Sequence, residues 1–181
     1  MRRLDLFDSH SKELSKGRLE EIIGLVGDEL NNINRNLNIE IYGDSALCLL
    51  TNFKEDTFGI DVITKDKKLI KDCFRRCNIW EEIINTEPVI ISSNKASLKL
   101  YRDYGKLKVY LPTVDYFLAM KLRIMLDDDK EDIISLIKEL RISSFEEVRE
   151  IFIKYYSRLH LHKYRVNFIK ELLNEALLVS I

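Results

Sequence analysis

The sequence predicts an α+β fold: a mixed five-stranded sheet with covering helices over residues 1–112, followed by a helical lobe over residues 113–181. Two observations carry this prediction. Five short segments that alternate or are rich in β-branched residues all lie before Pro112, interleaved with helical patterns. Beyond Pro112, apolar residues recur only at the three- and four-residue spacing of helices. A chain of 181 residues has the length of one compact domain with an appended lobe, and 46% hydrophobic with 33% charged residues is the composition of a folded protein.

The elements follow in order. Over residues 11–35, Leu14, Leu19, Ile22, Ile23, Val26, Leu30 and Ile33 line one face of an amphipathic helix, with Ser11 placed to cap it. Residues 37–43 alternate and stop at a glycine, as a strand entering a tight turn does, and residues 45–50 read as a short buried helix. Residues 58–64 form a second strand, and Asp66 suits the cap of a helix to about residue 78. Residues 88–92, 97–101 and 106–111 read as three further strands, the last two a hairpin through the Arg102-Asp-Tyr-Gly105 turn. Four helical faces close the chain, over 114–126, 132–140, 145–156 and 164–179, with Thr113 and Asp115 at the start of the first.

Charge and cysteine usage narrow the function classes. With 29 Lys and Arg against 30 Asp and Glu, the net charge of −1 draws the chain as a whole neither to nucleic acid nor to an acidic membrane, so any such contact is a local patch. Three cysteines without a C-x-x-C pair argue against a disulfide framework or zinc ribbon, and Cys73 and Cys77 read as buried thiols of one helical face. No apolar run reaches the ~18 residues of a membrane span, and the N-terminal residues lack an apolar leader core, so a cytoplasmic setting without membrane contact is expected.

The stretch richest in chemistry is Tyr42-Gly-Asp-Ser-Ala-Leu47 followed by Thr57-Phe-Gly-Ile-Asp-Val62. A glycine ends the strand without Cβ hindrance, and the N–H groups of the following helix, beside Ser45, suit a phosphate. The order of strand, Gly-x-Ser turn, short helix and acid-bearing strand resembles the nucleotidyltransferase superfamily, the fold of DNA polymerase beta and of antibiotic-modifying transferases. Leu111-Pro-Thr-Val-Asp-Tyr-Phe-Leu-Ala-Met-Lys-Leu-Arg123 and the Asp127-Asp-Asp-Lys-Glu-Asp-Ile133 run resemble the helical segment of bacterial nucleotidyltransferase-like proteins and abortive-infection toxin relatives. The similarity covers most of residues 20–140.

The resemblance implies a phosphate-holding turn at Gly43 and Ser45, and it matches Asp61 to the second acid of an Asp-x-Asp pair that clamps Mg²⁺ against a triphosphate. Gly59 stands where the first acid belongs. The third acid is expected on the strand 106–111, whose outward positions are Lys106, Lys108 and Tyr110; Lys108 offsets phosphate directly but holds no cation. Asp44 is either a helix-start residue or a replacement carboxylate, and Asp56 and Asp103 suit turns better than metal ligation. Lys121 is a candidate for a phosphate or an intramolecular carboxylate contact, against the plainer reading of a lysine whose stem covers the core.

The expectation is a degenerate nucleotidyltransferase-like protein that binds a nucleotide or phosphate-bearing ligand with weak or no metal-dependent transfer, as a binding or regulatory module in a setting such as a toxin–antitoxin operon. Two alternatives stay open. One is an active Mg²⁺-dependent transferase that uses Asp61 with Asp44. The other is an interaction module that binds nucleic acid or protein through the basic, aromatic residues 155–165. The acids from Asp127 to Asp132 are read as helix-start residues that favour the macrodipole, and His160 and His162, two apart, do not share a metal.

Overall fold

The computed structural model describes residues 13–87, 97–124, 129–156 and 163–178, with seven α-helices and a mixed five-stranded sheet among them. These residues fall into two compact units, one of residues up to 87 with 98–112 and the other of residue 97 with those from 113 onward.

The first unit opens on β1 (Leu14–Ser15), which pairs antiparallel with β3 (Asp56–Thr57). Asp56, expected in a solvated turn, is therefore a strand residue opposite Ser15. Helix α1 (Lys16–Asn32) starts at Ser15, whose Oγ accepts from the Arg18 N–H at 3.4 Å; Ser11 lies outside the described residues. Leu19, Ile22, Ile23, Val26 and Leu30 form its buried stripe at the predicted spacing. The sheet runs β5 (Ile84–Asn85), β4 (Ile60–Thr64), β2 (Leu37–Tyr42), β7 (Leu107–Pro112) and β6 (Leu98–Asp103). Its β4/β5 and β2/β7 pairs are parallel, and its β2/β4 and β6/β7 pairs are antiparallel.

Side-chain parity divides the sheet. Ile39, Ile41, Ile60 and Val62 meet Ile23 and Val26 of α1 and Ile70 and Phe74 of α3 (Lys67–Arg76) in the core. Each such side chain is worth about 1.5–3 kcal/mol of apolar burial. Glu40, Tyr42, Asp61, Lys108 and Tyr110 alternate with these core residues and take the opposite face. Asp66 caps α3 as expected, its Oδ1 accepting from the Leu69 N–H at 2.9 Å. Burial pushes the Cys73 and Cys77 thiols up, Cys77 to about 11, with Glu29 adding to both.

The β6–β7 hairpin turns through Gly105, whose φ of +79° is the left-handed conformation glycine adopts without strain. Asn31 of α1 clamps the turn, donating to the Tyr104 carbonyl at 2.9 Å and accepting from the Lys106 N–H at 3.0 Å. The predicted strand over 88–92 lies outside the described residues. The fifth strand that the structure shows is β5, reached through a 3-10 turn at Glu81–Ile83.

The second unit is helical: α4 (Val114–Ile124), α5 (Lys130–Glu139), α6 (Phe145–Tyr156) and α7 (Lys163–Leu178). Helix α4 packs on α5 and α6, and α7 packs on both of these. Tyr116 meets Tyr155 edge to face at 5.2 Å, and the Arg123 guanidinium lies 4.9 Å from the centre of the Tyr156 ring. No helix among the described residues is long and apolar enough to cross a membrane.

Asp115 ties α4 to α6, its Oδ2 accepting from Lys154 Nζ at 2.6 Å and from the Tyr155 hydroxyl at 2.8 Å. Burial alone would raise this carboxyl, but hydrogen bonds from Lys154, Thr113 and Tyr155 outweigh it and hold Asp115 down at about 2. The folded value lies below the ordinary carboxylate value, so the contribution is complete above about pH 4 and is lost as pH falls toward 2. For a half-exposed pair this amounts to about 1 kcal/mol. Thermal unfolding between pH 5 and pH 2 is expected to show Asp115→Asn less stable than wild type at pH 5 and the difference vanishing near pH 2. An acid-independent difference would show that the contact does not depend on charge.

Candidate functional site

The turn between β2 and α2 (Gly43–Leu50) is built around Gly43, at a φ of +62°. A Cβ there would collide with Asp61 Oδ2, so the absence of a side chain is what lets the Asp61 carboxylate lie against the first turn of α2. The antiparallel pairing of Tyr42 with Asp61 sets that approach. Two motif pieces that are 18 positions apart in sequence thus form one small site. No side chain caps α2, and the Asp61 carboxylate lies beside Gly43 at the positive end of the helix dipole.

Ser45 is 1% exposed and donates its hydroxyl to the Tyr42 carbonyl at 2.8 Å, so its Oγ braces the turn from inside. What Ser45 brings to an anion is its place in the first turn of α2, not its hydroxyl. Asp44 is a first-turn residue of α2, whose N-cap is Tyr42, and it pairs with Lys54 at 3.2 Å. Asp61 Oδ1 accepts from Asn85 Nδ2 at 2.9 Å. Neither Lys54 nor Asn85 is marked by a motif. Asn85 arrives only because β5 pairs in parallel with β4, opposite Asp61.

Gly59 has a structural reason to be glycine. A Cβ at this position would stand 3.0 Å from the Ile83 carbonyl oxygen, so an acid here would force the chain leading into β5 to give way. Lys108 is displaced from the site. It pairs with Asn38 on β2, four residues from Tyr42, which sets it about 13 Å along the sheet and about 10 Å across from Asp61. The register that joins Tyr110 to Glu40, continued by two residues, brings Pro112 level with Asp61, and Pro112 carries no ligand atom. Lys108 instead stands 3.9 Å from Asp103 at the hairpin end.

The acids around the turn each have a partner within the chain. Asp61 offers one carboxylate with an oxygen already held by Asn85, Asp44 faces Lys54, and positions 59 and 112 offer no donor. Among the described residues, no three His, Cys, Asp or Glu side chains gather as metal ligands.

Within the helical unit, Lys121 is 8% exposed and reaches both Asp129 and Asp132 at 2.7 Å. Burial alone would lower its ammonium, but the hydrogen bonds to Asp129 and Asp132 and the charges of both raise it above the ordinary lysine value. Of the two contacts considered for Lys121, the structure contains the carboxylate one. Asp129 and Asp132, expected only as helix-start acids, are its partners, and Asp129 makes no capping bond to α5. Asp127 and Asp128 lie outside the described residues. So do residues 157–162 of the basic stretch, including His160 and His162, while Tyr155 and the adjoining Lys154 are engaged by Asp115. Compared with known proteins, the chain matches no family model, no curated protein and no solved structure.

Proposed function

We propose that the turn at Gly43, with Asp61 beside it, binds a nucleotide or another phosphate-bearing ligand, with weak or no nucleotidyl transfer. The observation that carries this reading is the contact of the Asp61 carboxylate with the first turn of α2, made possible by the missing Cβ of Gly43. A carboxylate lying against a helix N-terminus suits a phosphate that arrives with its own cation, which the carboxylate can meet. A bare phosphate would meet the negative charges of Asp61 and Asp44, the latter paired with Lys54, and like charges repel. The absence of an acid at Gly59 and Pro112 supports binding without efficient transfer, which needs charge stabilisation on both the entering and the leaving oxygen.

Calorimetric titration with ATP tests the reading. With Mg²⁺ present, the protein is expected to bind ATP with a dissociation constant below about 1 mM, more weakly when Mg²⁺ is removed, and Asp61→Ala is expected to weaken binding at least tenfold. Equal affinity for wild type and Asp61→Ala would sink the proposal. Transfer of labelled nucleotide onto RNA, protein or a small molecule, stopped by Asp61→Ala, would instead show that the site is an active transferase.

A further inference from the structure

We infer that Asn85 is the positioning residue of Asp61, and that its amide takes the place beside this carboxylate that a second acid or a cation would otherwise fill. The inference rests on the reading of Asp61 as a ligand-binding group and adds to it a residue no motif marks. Asn85 Nδ2 donates to Asp61 Oδ1 at 2.9 Å, across the parallel pairing of β5 with β4. Its other end is also held: Asn85 Oδ1 accepts from the Glu87 N–H at 3.0 Å. This second bond decides which way the amide points. A flipped amide would set its oxygen against Asp61 and its NH₂ against an N–H, losing both bonds.

The approach of the chain entering β5 is tight at Gly59. A Cβ at position 59 would stand 3.0 Å from the Ile83 carbonyl oxygen, two residues before Asn85, so that carbonyl would have to give by a few tenths of an ångström. Gly59 and Asn85 thus act together. The first leaves room for the chain entering β5, and the second fills the space beside Asp61 with a donor of partial positive charge. One Asp61 oxygen is thereby engaged, and the other, Oδ2, faces Gly43 and the start of α2. The amide leaves a single carboxylate oxygen, Oδ2, for a ligand, where a resident divalent ion needs several oxygen ligands.

Two substitutions test this. Asn85→Ala is expected to weaken ATP binding in the presence of Mg²⁺ about tenfold, the loss typical when a group that orients a ligand is removed. Asn85→Asp keeps the shape and the oxygen that accepts from Glu87 N–H, but turns an acceptor toward Asp61 and places two carboxylates side by side. It is expected to raise affinity for Mn²⁺ alone at least tenfold over wild type, read by the electron paramagnetic resonance of the free ion, and Asp61→Ala in that background is expected to abolish the gain. A purely structural role for Asn85 moves neither signal. An unchanged Mn²⁺ affinity in Asn85→Asp, or unchanged ATP affinity in Asn85→Ala while Asp61→Ala loses it, would overturn the inference. ATP binding that survives Asp61→Ala overturns the functional reading instead, and the Mn²⁺ measurement then still decides whether Asn85 and Asp61 meet.

Discussion

Lys121→Met is expected to destabilise the helical unit by about 3–5 kcal/mol, because it removes the ammonium from two carboxylates that stay in a nearly buried place. Asp129 and Asp132 would lose their shared cation while staying nearly buried, where the repulsion between two carboxylates is strong. The same argument predicts recovery. Lys121→Met combined with Asp129→Leu and Asp132→Leu removes all three charges together and is expected to regain most of the lost stability. The raised ammonium sets the pH window: its contribution is complete below the ordinary lysine value and is lost only as pH rises beyond it, so Lys121→Met keeps its full effect at neutral pH. Urea unfolding followed by circular dichroism measures the loss over all helices, α1–α3 of the sheet unit included, and fluorescence of Trp80, the single tryptophan, reports the sheet unit alone, so the difference between the two signals isolates the helical unit. A loss below about 1 kcal/mol would mean that the carboxylates turn to water once the lysine is gone.

Gly43→Ala is expected to cost about 2 kcal/mol or more and to weaken ATP binding as well. Two causes add. A φ of +62° is strained for any residue with a Cβ, by about 1–3 kcal/mol, and the new methyl group would collide with Asp61 Oδ2. To make room, the Asp61 carboxylate must shift from its place against Gly43, where its other oxygen accepts from Asn85. Gly43→Ala with Asp61→Ala relieves the collision but not the backbone strain, so the double variant is expected to be more stable than the sum of the single effects predicts. Strict additivity in that cycle would show that Gly43 and Asp61 do not touch.

Much of the local architecture was legible from residue spacing. The stripe from Leu19 to Leu30 became the buried face of α1, Asp66 became the cap of α3, and the two predicted strands joined in a hairpin that turns at Gly105, although Arg102 and Asp103 of the predicted turn pair as strand residues of β6. Each of these depends on groups within a few residues of one another, and periodicity or capping chemistry records such groups directly. Part of the candidate site was legible for the same reason. Gly43 lies next to the helix it starts, and Asp61 lies on a strand whose alternation is plain.

The remainder was decided by which strand pairs with which, and at what register. Lys108 occupies the outward position the alternation predicts, yet the pairing of β7 with β2 sets it about 13 Å along the sheet from Asp61. Asn85 carries no signal in its neighbours, and only the parallel seating of β5 brings it to Asp61, 24 residues away in sequence. Lys121 stands on an apolar helix with no mark of its partners, which come from the start of α5.

By itself, then, the sequence determined the α+β class, the faces of its helices and strands, and the glycine turn that enters α2. The tertiary structure alone decided that Asp61 meets an amide from β5 and that the charge of Lys121 is held by Asp129 and Asp132. The reason is physical. Helix and strand periods are set by bonds between near neighbours, while register and buried ion pairs are set by packing between distant segments, which spacing along the chain does not encode.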